Sequence, residues 1–355
     1  MTAPFRVAVV GLGWAARSIW LPRLLAQPGF RVAAVVDPAP GARAEVERAG
    51  LTVPVYPDVS ALTAADIDLA IVATPNHLHA DIGMRLLAGG VPVFLEKPVC
   101  LTSAEADLLA AAELAGGATL IAGSAGRYRA DVRALRDLLP TLGRIRHLDL
   151  AWVRARGVPA GKGWFTHRGQ AGGGALIDLG WHLLDTVTGL LGATTFEQAV
   201  ATFSDDFLHD PAAGAAWRQD SAGTAGTGDV EDTARGFLVT GSGVSVSMRA
   251  SWASHEATDV TVIRVEGSAA TATLRCTFGF SPNREGPSRL TTIRHGETTP
   301  VAVPDEPIGS EYARQVAELP ALLTAPGARG RAITEARGTV AVIERLYDSA
   351  HRVPA

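Results

Sequence analysis

Along the first third of the chain, compact runs of aliphatic and β-branched residues alternate with stretches whose apolar positions recur at helical spacing. The pattern predicts strands at 5–10, 31–36, 69–73, 91–95 and 120–122, with helices at 15–26, 41–49, 79–88 and 102–114 between them. The last helix opens on Thr102 with Glu105 three residues on, the spacing of a capping box. Strands that are apolar throughout, each followed by a helix, belong to a parallel sheet covered on both faces.

Beyond about residue 126 the rhythm changes. A helix at 131–139 precedes an alternating strand at 144–154, and a glycine run opens the helical stretch 172–191. Strands are then predicted at 196–203, 233–240, 244–251, 259–266, 270–276 and 290–294, with turn signals such as Gly241–Gly243, before closing helices at 310–323 and 333–350. Residues 204–228, rich in Ala, Gly, Asp and Thr, read as a long loop, functional or disordered. The expected fold class is therefore an α/β, doubly wound parallel-sheet domain over 1–126, followed by an α+β domain over 127–355 with an open, mainly antiparallel sheet.

Composition narrows the function. With 355 residues, 47% hydrophobic and 19% charged, the chain has material for two globular cores. A formal net charge of −4 gives no broad basic field for nucleic acid or an anionic membrane, so neither is expected as a partner. Cys100 and Cys276 lie far apart without metal-ligand spacing. They read as reduced cytosolic thiols, with a disulfide left open. No apolar run approaches the ~20 residues of a membrane span, and the first strand begins almost at once; a cytoplasmic location is the expectation.

The candidate chemistry begins where the first strand ends. Gly11-Leu12-Gly13-Trp14-Ala15-Ala16 is G-x-G-x-x-A between a strand and a helix, the context a dinucleotide pyrophosphate requires. Gly11 allows the turn, Gly13 lets backbone N–H groups approach a phosphate, and Ala16 permits close helix packing. These features mark the first domain as a Rossmann fold. Asp37 closes the second strand, where a carboxylate accepts ribose hydroxyls and repels a 2′-phosphate; this favours NAD over NADP, although Arg43 nearby could serve the latter. Asp37 could also simply cap the turn at Pro38.

Three further elements carry polar groups that turn chemistry or surface pairing could explain singly. Thr74-Pro75-Asn76-His77-Leu78-His79 follows a parallel strand at its carboxyl end. His77 and His79 have no third ligand nearby, so no metal is expected. Lys97, in Glu96-Lys97-Pro98 at the end of another such strand, suits polarisation of a hydroxyl or carbonyl oxygen, or a surface ion pair. Asp178 and His182, four apart on a helix after Gly172–Gly174, share a face; the carboxylate can orient the imidazole and raise its pKa. Just before them, Trp152, Arg154, Arg156, Lys162, Trp164, Phe165, His167 and Arg168 combine aromatic rings with cations, as a sugar, phosphate or carboxylate site would.

Taken together, these segments resemble the glucose-fructose oxidoreductase and inositol dehydrogenase (Gfo/Idh/MocA) family over nearly the whole chain. The resemblance extends to Val230-Glu231-Asp232-Thr233-Ala234 and to Leu346-Tyr347-Asp348-Ser349-Ala350. It implies an NAD(P)-dependent dehydrogenase or reductase acting on a secondary alcohol or ketone of a sugar, cyclitol or aminoglycoside-like substrate. It also implies that Lys97 and His182 handle the proton, with Asp178 beside His182 on a substrate hydroxyl. Gly11 to Ala16, Asp37, Thr74, Asn76, His79, Glu96 and Lys97 would line the cofactor. Trp152, Arg154, Trp164 and His167 are the further substrate candidates, and the second-domain sheet would join copies into a homodimer or homotetramer. Open alternatives are a member that keeps NAD bound for a transient redox step (glycoside cleavage or epimerisation), a reductase of a non-sugar substrate, and a non-catalytic NAD-binding regulator.

Overall fold

The computed structural model describes residues 3–159, 163–192, 194–215 and 228–350. The chain divides into two compact units, Met1–Gly123 with Tyr312–Val340, and Ser124–Glu311 with Ala341–Ala355.

The first unit is built on a parallel six-stranded sheet: β1 (Phe5–Val10), β2 (Phe30–Val36), β3 (Val55–Tyr56), β4 (Leu69–Val72), β5 (Val93–Leu95) and β6 (Leu120–Ala122), in the order β3-β2-β1-β4-β5-β6. Order reverses between β1 and β4, the switch point outside which ligands of such sheets bind. The central strands are apolar because both faces are covered: Val7, Ala8, Val9 and Leu69 to Val72 are fully buried. Between the strands run α1 (Leu21–Leu25), α2 (Ala42–Arg48), α3 (His79–Ala88) and α4 (Ser103–Gly116). At α4 the Thr102 hydroxyl accepts the Glu105 N–H (3.1 Å) while Glu105 reaches back to the Leu101 N–H (2.7 Å). A widened π turn over Ala16–Trp20 leads into α1. The returning segment 312–340 belongs to this unit: Gln315 donates to the Ala122 carbonyl (3.1 Å), and the Gly330 N–H to the buried Glu113 carboxylate (3.0 Å).

The second unit contains α5 (Ala130–Leu138), β7 (Ile145–Val153), α6 (Arg168–Ala171), a second π turn over Leu176–Gly180 and α7 (Trp181–Leu191). Then come β8 (Phe196–Ser204), β9 (Thr233–Thr240), β10 (Ser245–Ser251), β11 (Val260–Gly267), β12 (Thr271–Cys276), β13 (Arg289–Arg294) and β14 (Glu297–Val301). They form one eight-stranded sheet, β14-β13-β12-β11-β7-β10-β9-β8. The sheet is mixed and largely antiparallel; among the described strands β7 and β10 are its parallel pair. Leu148, Leu150, Val246, Met248, Ile263 and Leu274 bury one face. On the other, Val200 pairs with Phe237, both about half exposed, and Arg235 lies directly across from Arg249.

The short β3 and the edge strand β14 depart from the pattern read in the sequence. Pro300 in β14 donates no ladder hydrogen bond, which an edge strand tolerates. The segment expected as a loop continues β8 to Ser204, makes a 3₁₀ turn over Pro211–Ala213 capped by Asp210, and bridges Val158 through Gly214. Residues 216–227, and Lys162, lie outside the described residues. The chain closes with α8 (Ser310–Thr324) and α9 (Arg331–Ala350). No helix among the described residues is long and apolar enough to cross a membrane.

Candidate active site

At the carboxyl end of β1, Gly11 adopts φ +86°, and a Cβ there would stand 2.9 Å from the Ala73 carbonyl oxygen. Turn and contact both require glycine at this position. Helical structure then begins at residue 14. Asp37 at the end of β2 fastens the loop: one carboxylate oxygen accepts the Leu12 N–H (2.8 Å), the other the Ala39 N–H (2.8 Å). It therefore caps the turn at Pro38 and holds the phosphate loop together. Arg43 is exposed on α2.

Two observations fit a dinucleotide here. A Cβ on Gly13 would find no neighbour nearer than 3.8 Å, so nothing in the chain demands glycine there, whereas a phosphate drawn against the backbone does. The Thr74 hydroxyl, beside Gly11 at the end of β4, is buried without a hydrogen-bond partner, a group that a ligand would satisfy. Gly11, Leu12, Gly13, Trp14, Ala15, Ala16, Asp37 and Thr74 thus suit the pyrophosphate and ribose end of NAD(P), with the start of the helix supplying a favourable dipole.

Asn76 is buried in the turn after β4. His79 is fully buried, its Nδ1 2.6 Å from the Pro98 carbonyl and its Nε2 2.9 Å from the Thr74 carbonyl. It ties the turn carrying Thr74 to the segment carrying Lys97, through both ring nitrogens. Burial pulls its pKa down, against the two carbonyls that favour the imidazolium. Glu96 accepts the Trp20 indole N–H and the Lys97 backbone N–H, each at 2.9 Å. Burial pushes its carboxyl up, opposed by the Lys97 charge and by these hydrogen bonds. Lys97 itself is partly exposed at the end of β5.

In the second unit, residues 173–187 are buried with one exception, His182, where this helix reaches the surface. Its ring packs on the indole of Trp152 (5.4 Å between centroids), and the Arg154 guanidinium lies over that same indole (5.4 Å). Asp178 is buried, one oxygen accepting the indole N–H of Trp252 (2.9 Å). Trp252 stacks on Phe165, which stacks on Trp164, so these substrate candidates converge on the Asp178 side. Arg156 is exposed on a bridge to Ala253, and His167, whose N–H donates to the Trp164 carbonyl (3.2 Å), caps α6 through its own backbone carbonyl. Asp185 is paired with Arg127 (2.7 Å), a structural tie.

Reading the residues individually missed Trp20, Trp252, Glu231 and Tyr347. Glu231 and Tyr347 fall in the two family-like segments noted above, and their buried contact could not be inferred across more than a hundred residues. The Glu231 carboxylate accepts the Tyr347 hydroxyl (2.8 Å) and the N–H groups of Gly174 and Leu176 (3.0 Å each). Burial pushes both the Glu231 carboxyl and the Tyr347 phenol up.

The fold and the loop define an NAD(P)-dependent oxidoreductase. The chain matches an oxidoreductase family with an NAD-binding Rossmann fold (GFO/IDH/MocA) over residues 5–124, and the GFO/IDH/MocA C-terminal domain over 132–273. It is 61% identical, over 97% of its own length and 96% of the other's, to a putative UDP-kanosamine synthase oxidoreductase subunit of Amycolatopsis mediterranei (strain S699). It is 31% identical to the D-glucoside 3-dehydrogenase of Escherichia coli (strain K12), over 54% of this chain and 55% of that one. The solved structure of GenD2 from gentamicin A biosynthesis, in complex with NAD, is similar with a TM-score of 0.76 at 25% identity, covering 99% of this chain and 95% of that one. The chain belongs to the Gfo/Idh/MocA family. It is an enzyme that moves a hydride between a nicotinamide and a CH–OH carbon of a sugar- or cyclitol-like substrate.

Proposed function

We propose that the substrate is a UDP-linked hexose, oxidised at C3 to the ketone with NAD as acceptor. The observation that carries this is that one buried indole, Trp152, carries two partly exposed groups, the His182 imidazole and the Arg154 guanidinium. A proton acceptor and a planar cation held on the same indole suit a sugar hydroxyl and the diphosphate linked to that sugar. Near-full-length similarity to an enzyme named for a UDP-amino sugar supports it, and the name D-glucoside 3-dehydrogenase supports the position. A 3-ketone is the electrophile that an amine-transferring enzyme would consume next.

In this reading His182 accepts the C3 hydroxyl proton, Lys97 stabilises the developing oxyanion, and Asp178, anchored by Trp252, holds a substrate hydroxyl. The bound nicotinamide supplies the hydride acceptor. Asp37, a carboxylate beside the phosphate loop at the end of β2, favours the unphosphorylated ribose of NAD by repelling a 2′-phosphate. Trp164 lines the sugar, while His167 contributes through the loop it starts. Asn76, His79 and Glu96 hold the turns of the cofactor site. The half-exposed Val200–Phe237 pair and the facing Arg235 and Arg249 call for a covering surface, and we assign it to a second copy in a homodimer or homotetramer. UDP-sugar and NAD pools place the enzyme in the cytoplasm.

The test is nicotinamide absorbance with NAD or NADP and UDP-glucose, methyl glucoside, free glucose or myo-inositol, with a carbonyl trap to draw off ketone. Turnover of UDP-glucose with NAD is expected. Demonstrable NAD binding with silence on UDP-glucose and turnover of another member would replace this substrate. For the assembly, Phe237→Asp should lower the mass in solution; an unchanged mass rejects that face.

A further inference from the structure

We propose that Glu231 is a positioning residue for the reaction, fixing the start of the helix that presents Asp178 and His182. The inference rests on the roles given to those two side chains above. Three consecutive N–H groups at that helix start end on this one residue. Gly174 and Leu176 donate to its carboxylate Oε1 (3.0 Å each), and Ala175 donates to its backbone carbonyl (3.0 Å). The Tyr347 hydroxyl donates to the same Oε1 (2.8 Å), and Arg168 approaches the other oxygen at 3.6 Å while stacking on the Tyr347 ring.

The glycines are shaped to this contact. A Cβ on Gly174 would lie 1.8 Å from the Glu231 carbonyl oxygen, and one on Gly173 would lie 1.9 Å from the Tyr347 hydroxyl. Neither position has room for any side chain. A helix start can be capped by an exposed Ser, Thr or Asp at little cost. Burying a carboxylate costs several kcal/mol, so stability does not by itself account for it. What Glu231 adds is register: its carboxylate reaches the helix from the segment leading into β9 and ties it also to α9. From Leu176 to His182 is six residues, roughly 9 Å along a helix. Buried packing on all sides transmits any tilt of the start to the one residue that emerges.

The experiment compares Glu231→Ala, Glu231→Gln and Glu231→Asp in the full chain, reading kcat and KM with UDP-glucose, NAD affinity and Tm. Misplacement of a reacting group by about 1 Å costs on the order of 10²-fold. E231A is therefore expected to lower kcat about 100-fold, with KM and NAD affinity within about 3-fold of wild type. E231Q should recover most of that loss, because the amide oxygen can accept the same three donors; E231D, one methylene shorter, should not. A folded E231A with wild-type kcat overturns the proposal, as does a parallel fall of kcat, NAD affinity and Tm. If E231A fails to fold, E231Q and E231D decide, and equal kcat in the two overturns it. Should wild type turn over no sugar, the substrate reading fails separately. The His182 imidazole NMR signal then provides the test: it should move in E231D relative to wild type and return in E231Q, and an unmoved signal refutes the positioning role.

Discussion

Two helix starts in this molecule use the same local device for opposite ends. At Gly11–Ala16 and at Gly172–Gly180, glycines lead the chain into a π turn and then an α-helix. In the second, the protein fills the space itself: a Cβ at Gly174 meets the Glu231 backbone at 1.8 Å. In the first, a Cβ at Gly13 meets nothing within 3.8 Å, and Asp37 fastens only the adjacent Leu12 N–H. Gly174, like Gly11 against the Ala73 carbonyl, therefore serves the protein's own packing, whereas Gly13 has room for a side chain and serves a ligand in the reading above. Glycine content alone does not distinguish a binding loop from a structural one; what occupies the space beyond the missing Cβ does. π turns recur at functional sites, and here one lies in each of the two regions to which the chemistry is assigned.

The comparison breaks most visibly under alanine. Gly174→Ala drives a methyl group into backbone and should abolish the folded second unit, read as loss of soluble, cooperatively melting protein. Gly174→Ala with wild-type Tm would show that the Glu231 contact is dispensable. The chemical contributions come next. Lys97→Ala and His182→Ala should each lower turnover about 10²–10⁴-fold, the range for a lost acid–base group, with NAD affinity retained. His182→Ala at wild-type rate would remove that residue from the mechanism. Gly13→Ala should leave Tm within about 1 °C and weaken NAD about tenfold or more, since the change is felt by the ligand alone. An unchanged NAD affinity would end the contrast between the two loops.

The smallest effect concerns pH. Burial holds the Glu231 carboxyl above its ordinary value of 4.5. A carboxyl raised on folding contributes stability that is full below the unfolded value and lost as pH rises through the folded one. Glu231→Gln cannot suffer that loss, so wild type should lose Tm relative to E231Q as pH is raised from about 4 to 7. The reverse trend would mean that the three donors on Oε1 outweigh burial.

The regions differ too in how far they could be read from the chain. β1, Gly11, Gly13, Asp37 and the Thr102–Glu105 cap are local arrangements, and the pattern located each to within a residue or two. Asp178 and His182 are singled out by helical spacing, and the turn between them begins as π rather than α. That the His79 ring joins the Thr74 and Pro98 carbonyls could not be read from the chain. The edge strand β14 escaped notice because Pro300 interrupts the alternation that marks a strand.

The sequence by itself determined the order of elements, the phosphate loop and its acid, and the side chains to which the chemistry is here assigned. These depend on periodicity and short-range sterics, which every segment carries with it. Only the tertiary structure decided that β7 sits at the centre of its sheet beside a parallel partner, that Trp252 holds Asp178, and that Glu231 and Tyr347 close over Gly173 and Gly174. Those contacts join residues 74, 57 and 116 apart in the chain. Their partners are selected by burial and hydrogen-bond satisfaction once the sheet has formed, and no local pattern encodes that choice.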